Sequence, residues 1–163
     1  MRGLALDRQL QIQILLDHYE RPRHRGELGD ADVEMPGGNP GCGDVVTVYL
    51  KGSEDHEHIH DVTYEGEGCT ISMAASSMIL EEIHDGKLTM DEVLELDYNE
   101  MIEKLGRQIV ASRPRCATLG LGTVKAAIRK YQRDRRLEKA GVTRPEDEGL
   151  VFGDTAAQAA KNQ

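Results

Sequence analysis

Three cysteines, each set in a loop shaped by glycine or proline and none inside a periodic apolar run, constrain this chain more than any other feature. Cys42 lies in the turn Gly38-Asn39-Pro40-Gly41-Cys42-Gly43-Asp44, just ahead of a predicted strand. Cys69 lies in Glu65-Gly66-Glu67-Gly68-Cys69-Thr70-Ile71-Ser72, between a predicted strand and a predicted helix. Cys116 lies in Arg113-Pro114-Arg115-Cys116-Ala117-Thr118-Leu119, just before the predicted last helix. Two of the three therefore stand at helix N-termini, where the positive end of the dipole favours the thiolate, the form that binds metal or attacks sulfur. A lone cysteine is as readily a small buried hydrophobe, but one metal site explains all three together. An odd number of cysteines cannot all close into disulfides, and none forms a C-x-x-C pair.

Asp44 stands two residues after Cys42, and residues i and i+2 share a side of an extended chain. A hard oxygen ligand beside three soft thiolates suits a site that exchanges or reacts, whereas structural zinc sites close with cysteine and histidine. The competing reading is a turn carboxylate bonded to nearby backbone N–H groups. The pattern leaves the two level.

Around these junctions the period of the apolar residues changes. Ile12, Leu15, Leu16 and Tyr19 make one stripe of a helix over residues 6–19, which Arg21-Pro22 ends. A turn-rich stretch follows, with one short strand expected near Asp32 to Met35. Val45 to Leu50 and His58 to Tyr64 alternate as the two strands of a hairpin. From Ile71 the period is helical as far as Gly86. Thr89 with Glu92, and Asp97 with Glu100, open two short helices. A last helix is expected from Thr118 to Lys139, with Leu121, Val124, Ala127, Ile128 and Tyr131 inward. The sum is an α+β fold in which a small antiparallel sheet of about three strands packs with helices. Residues 1–140 form one domain, and 141–163, small, polar and acidic, form a loosely ordered tail.

The formal net charge of -9 excludes the basic footprint of a nucleic-acid binder. One phenylalanine, five tyrosines and no tryptophan offer little for base stacking. No apolar run is long enough to span a bilayer, and Leu4-Ala5-Leu6 is too short for a signal-peptide core, so a cytoplasmic protein is expected. His56, His58 and His60 alternate along the hairpin, as the solvated edge of an antiparallel pair does. Lys125, Arg129, Lys130, Arg133, Arg135, Arg136 and Lys139 give the last helix a basic outer face, read as solvated. His18 and Tyr19 are read as helix-end packing.

The motifs G-N-P-x-C-G-D, E-G-x-G-C-x-I-S and R-x-R-C-A-T-L, in this order, resemble the three signatures of the IscU/SufU/NifU N-terminal family of iron–sulfur assembly proteins. Ile14-Leu15-Leu16-Asp17-His18-Tyr19, with Pro22-Arg23 and Gly26, also matches that family, so the resemblance runs from about Leu10 to Tyr131. Arg113 with Cys116 to Leu119 resembles the SufU-like branch. The IscU branch carries histidine where this chain has Arg115, and a Leu-Pro-Pro-Val-Lys segment where it has Val110-Ala111-Ser112-Arg113-Pro114. The resemblance implies a site of Cys42, Asp44, Cys69 and Cys116, holding Zn²⁺ or, as another occupant, a [2Fe–2S] or [4Fe–4S] cluster. It implies sulfur accepted from a cysteine desulfurase of SufS/IscS type, at Cys42 by likeness to SufU or at Cys116 by likeness to IscU, with Arg113 in support. A downstream Fe–S carrier or apo-protein would receive the product. Either a zinc-dependent sulfurtransferase-type activity or a non-enzymatic scaffold fits. The rivals are a structural zinc-binding interaction module and, ranked last, a cysteine hydrolase using Cys69 or Cys116 with a histidine.

Overall fold

The computed structural model describes residues 7–39, 43–141 and 151–152, with backbone alone at Asn39 and at the last pair. Helix α1 (Arg8–Glu20) leads into strands β1 (Val33–Asn39), β2 (Asp44–Gly52) and β3 (Ile59–Glu67). Helices α2 (Thr70–Asp85), α3 (Met90–Leu94), α4 (Tyr98–Leu105) and α5 (Pro114–Lys139) follow, and β4 (Val151–Phe152) comes last. The sheet order is β3-β2-β1-β4. The first three strands pair antiparallel, as their hairpin pattern predicts, and β4 joins Gly37 and Gly38 of β1 in parallel. β4 falls within the segment expected as a tail; the remainder of that segment after Gly141 lies outside the described residues.

The helices cover one face of the sheet. α2 lies against β3, α5 against β1 and β2, and α1 packs on α2. Along β2 the residues Val46, Val48 and Leu50 are fully buried under these helices, and Asp44 shares their parity. It therefore points to the helix side at the strand's first residue. Val62 and Tyr64 of β3, opposite Leu50 and Val48, complete the inner layer. All five residues expected inward on α5 are buried.

Three expectations are corrected. α5 begins at Pro114, four residues early, because proline is pre-organised for the first helical position. Lys125 is buried rather than solvated: its ammonium donates to the Leu96 carbonyl and lies 4.4 Å from the centre of the Tyr98 ring. α1 is rotated from its apolar stripe. Ile12, Leu16 and Tyr19 are exposed, while Leu15 and His18 face inward. The inward face carries a polar anchor: His18 Nδ1 meets the buried Ser77 hydroxyl at 2.8 Å, and that hydroxyl also accepts the Arg23 N–H. Hydrophobicity alone could not register that bond. α3 opens at Thr89 as expected, with a complete capping box between Thr89 and Glu92. At α4, Asp97 caps through the Asn99 N–H instead of through a reciprocal box.

Close approach of α5 to α2 rests on Gly120. A β-carbon there would stand 2.6 Å from Ser76 Oγ and 3.0 Å from its Cα. Gly122, two residues on, faces among the described residues only the Tyr98 hydroxyl, at 3.7 Å from such a β-carbon. Gly120→Val should therefore cost about 1–3 kcal/mol by overpacking, whereas Gly122→Ala should stabilise by roughly 0.5–1 kcal/mol through helix propensity. Urea unfolding of both variants checks the pair; equal effects would mean that α2 and α5 do not meet as closely as described.

Candidate metal centre

Three elements deliver one side chain each to the end of the sheet where β2 begins. Asp44 is the first residue of β2, and it follows Gly43, whose φ of +73° only glycine adopts freely. Cys69 is the N-cap of α2, and Cys116 is the third residue of α5. The ligand atoms of Asp44, Cys69 and Cys116 all lie within 4.8 Å of one another. Asp44 and Cys116 are buried, and Cys69 is half-buried.

Asp44 is the hub. Its Oδ1 accepts the Cys69 N–H at 3.1 Å. Its Oδ2 lies 3.1 Å from the Cys116 sulfur and 3.7 Å from the Cys69 sulfur, with both thiols donating. A buried carboxylate is expensive unless it is bonded and offset by positive charge; here the N-terminal ends of two long helices supply both. The two readings of Asp44 thus coexist in one side chain, since one oxygen bonds a backbone N–H and the other faces sulfur.

Burial opposes ionisation of Cys69, but hydrogen bonds from the Ser72 backbone and hydroxyl and from Cys116 outweigh it. The Cys69 pKa falls below the ordinary thiol value, even though Asp44 pulls the other way. With Cys69 as a thiol, its sulfur faces the Ser72 hydroxyl oxygen at 3.7 Å and that hydroxyl donates to the Cys69 carbonyl at 3.1 Å; the Ser72 and Cys116 protons that lower the pKa act on the ionised sulfur. Gly68 leaves the space this requires: a β-carbon there would sit 2.5 Å from Ser72 Oγ and 2.8 Å from Asp44 Oδ1. Ser72 and Gly68 were not singled out from the sequence as site residues, although both are letters of the E-G-x-G-C-x-I-S motif.

Of the residues anticipated for the site, Asp44, Cys69 and Cys116 come together, and Cys42 lies outside the described residues. Arg113 is exposed at the N-cap of α5, where its carbonyl accepts the Cys116 N–H at 3.1 Å. Cys116 lies within the first turn of its helix rather than ahead of it. The hairpin histidines do not gather. His56 Nδ1 meets the Tyr131 hydroxyl at 2.7 Å, and His58 pairs with Asp55.

The donor set fits a tetrahedral ion. Bonds of about 2.0–2.3 Å to oxygen and sulfur separate neighbouring ligands by roughly 3.3–3.8 Å, close to the spacing found around Asp44 Oδ2.

The family model of the NifU-like N terminal domain matches residues 11–138. The chain is 35% identical over 127 residues to the iron-sulfur cluster assembly scaffold protein IscU of Aquifex aeolicus, covering 77% of this chain and 79% of that one. It is 31% identical over 138 residues to the zinc-dependent sulfurtransferase SufU of Bacillus subtilis, covering 76% and 92%. A crystal structure described as a hypothetical protein superposes with a TM-score of 0.63 at 30% identity, covering 76% of this chain and 99% of that one. The putative SUF-system scaffold from Fervidobacterium islandicum AW-1, at 24% identity and a TM-score of 0.56 over 71% and 94%, shares the fold.

In metal-free protein, Ser72→Ala should raise the Cys69 pKa and slow its alkylation at neutral pH. The thiolate fraction sets the rate, and the variant removes a bond that lowers the pKa. Iodoacetamide labelling of Cys69 against pH, read by peptide mass spectrometry, checks this; an unmoved midpoint would deny Ser72 that role.

Proposed function

This chain belongs to the NifU-like N-terminal domain family, and we propose that it is an iron–sulfur cluster assembly protein that accepts sulfur from a cysteine desulfurase at a metal centre of Cys42, Asp44, Cys69 and Cys116. The observation that carries the reading is the meeting of Asp44, Cys69 and Cys116 from three separate elements. Names of relatives support it: one is a scaffold and another a zinc-dependent sulfurtransferase. Residues 1–140 are taken as the working domain, in line with the matched span. The reducing cytoplasm, where thiols stay free, is its proposed setting.

In this reading Zn²⁺ is the resident ion, and it would keep the surrounding thiols deprotonated. A [2Fe–2S] or [4Fe–4S] cluster on the same ligands is the proposed cargo. Sulfur transfer needs a thiolate of this chain to attack the terminal sulfur of the desulfurase's persulfide. A new S–S bond then forms on this chain, the old one breaks, and the desulfurase cysteine leaves as thiolate. Cys42 and Cys116 are the candidate acceptors, with Arg113 as the neighbouring cation. Cys69, with its lowered pKa and its N-cap position, is suited to remain a ligand throughout. Asp44 is the hard ligand in a soft set and so the easiest to displace. Its Cys69 N–H bond gives the released carboxylate a partner to keep.

The first measurement is metal content and melting. About one zinc or iron per chain is expected. Losing even ~3 kcal/mol of the roughly 10–16 kcal/mol that structural zinc supplies should lower Tm by about 6–12 °C for a chain of this size. A metal-free protein whose melt ignores chelator would sink the centre. The second is persulfide transfer from a desulfurase with Asp44→Ala. The variant should keep its metal and hand on sulfur more slowly, on the scale of the roughly 10–100-fold that perturbed metal surroundings cost. Normal transfer in a variant that is merely destabilised would remove Asp44 from the ligands. Persulfide on no thiol at all would leave a structural zinc module.

A further inference from the structure

The hairpin of β3 and α2 has two ends. Cys69 joins the two elements at one of them. At the other, Asp61 near the start of β3 and His84 near the end of α2 meet His24, from the segment after α1. A rise of about 1.5 Å per helical residue puts His84 roughly 22 Å from Cys69, and a rise of about 3.3 Å per strand residue puts Asp61 about as far away. The ligand atoms of His24, Asp61 and His84 all lie within 4.8 Å of one another. The two imidazoles stand with centroids 4.4 Å apart and planes inclined by 40°.

The backbone holds this cluster in place. His24 has φ +60°, a left-handed conformation that a non-glycine residue occupies only where its surroundings impose it. Here they do: its carbonyl accepts the Tyr64 N–H at 3.0 Å, and the Gly26 N–H donates to the Tyr64 carbonyl at 2.7 Å. The segment is thereby tied along the open edge of β3, where Arg25 bridges to Tyr64. Asp61 Oδ1 is anchored by the Val62 N–H at 2.9 Å. Besides the His24 ring, His84 meets Asp85 at a long 3.5 Å, on a side chain 42% exposed, so its ring nitrogens are accessible to an ion.

We propose that His24, Asp61 and His84 form a second metal site, for one divalent d-block cation of the zinc, cobalt, nickel or ferrous type. Two imidazoles and one carboxylate select such ions over Mg²⁺ and Ca²⁺, which take oxygen ligands. Three protein ligands at a partly exposed position leave the remaining positions to water, so the ion exchanges readily. The site shares no residue with the cysteine centre, and it stands whether or not the sulfur-transfer reading does.

The test is a Co²⁺ titration of the full-length, untagged chain already loaded with one equivalent of Zn²⁺. Calorimetry reads the stoichiometry, and imidazole NMR reads the location. One saturable equivalent is expected, with paramagnetic shifts at His24 and His84. His24→Asn, Asp61→Asn and His84→Ala should each weaken it more than tenfold, a loss at least as large as removing an outer-shell partner causes. Asparagine tolerates the left-handed φ at position 24, so the fold survives that change, and His58→Ala and His60→Ala should leave binding as it was. No second equivalent, or one indifferent to the three variants, would overturn the site.

Discussion

The buried carboxylate of Asp44 is the interaction on which the arrangement of this protein's chemistry depends. At 3% exposure it has almost no water. One of its oxygens takes a backbone N–H from the cap of α2, and the other faces the sulfurs of Cys69 and Cys116. Leaving such a charge unpaired would cost several kcal/mol, so the helix starts and the strand start hold one another in register. An ion between the sulfurs and the carboxylate would take over the role the thiol protons now play. The same geometry therefore serves the fold and the proposed chemistry.

What brings the two helix starts to that carboxylate is packing further along them. α2 and α5 approach closely because Gly120 faces Ser76. Close-packed interiors transmit small volume changes instead of absorbing them. An added methyl on this seam would thus be felt at Cys69 and Cys116, several residues away. β2 is clamped beneath, with Val46, Val48 and Leu50 buried on the same side as Asp44.

The β3–α2 hairpin gives the molecule two chemically distinct ends. Sulfur and carboxylate meet at the Cys69 end, and imidazole and carboxylate meet at the His84 end. Both elements between them are regular and largely buried on their inner faces, so the separation of the ends is set by strand and helix rise rather than by loops.

The sequence by itself determined the order of elements from α1 to α5, the antiparallel three-strand core and the candidacy of Cys42, Asp44, Cys69 and Cys116. Those properties are local: a two-residue period in β2, a 3.6-residue period in α5, and glycine and proline around each cysteine are visible within a few neighbouring residues. Only the tertiary structure decided which way α1 faces: it turns Leu15 and His18 inward, and the buried His18–Ser77 bond joins residues far apart in the chain. The same holds for Lys125, which looks like one more surface cation until Leu96 and Tyr98 are seen beside it. It holds also for the dual role of Asp44 and for the meeting of His24, Asp61 and His84. No period or motif links these residues, because what joins them is the path of the backbone through space.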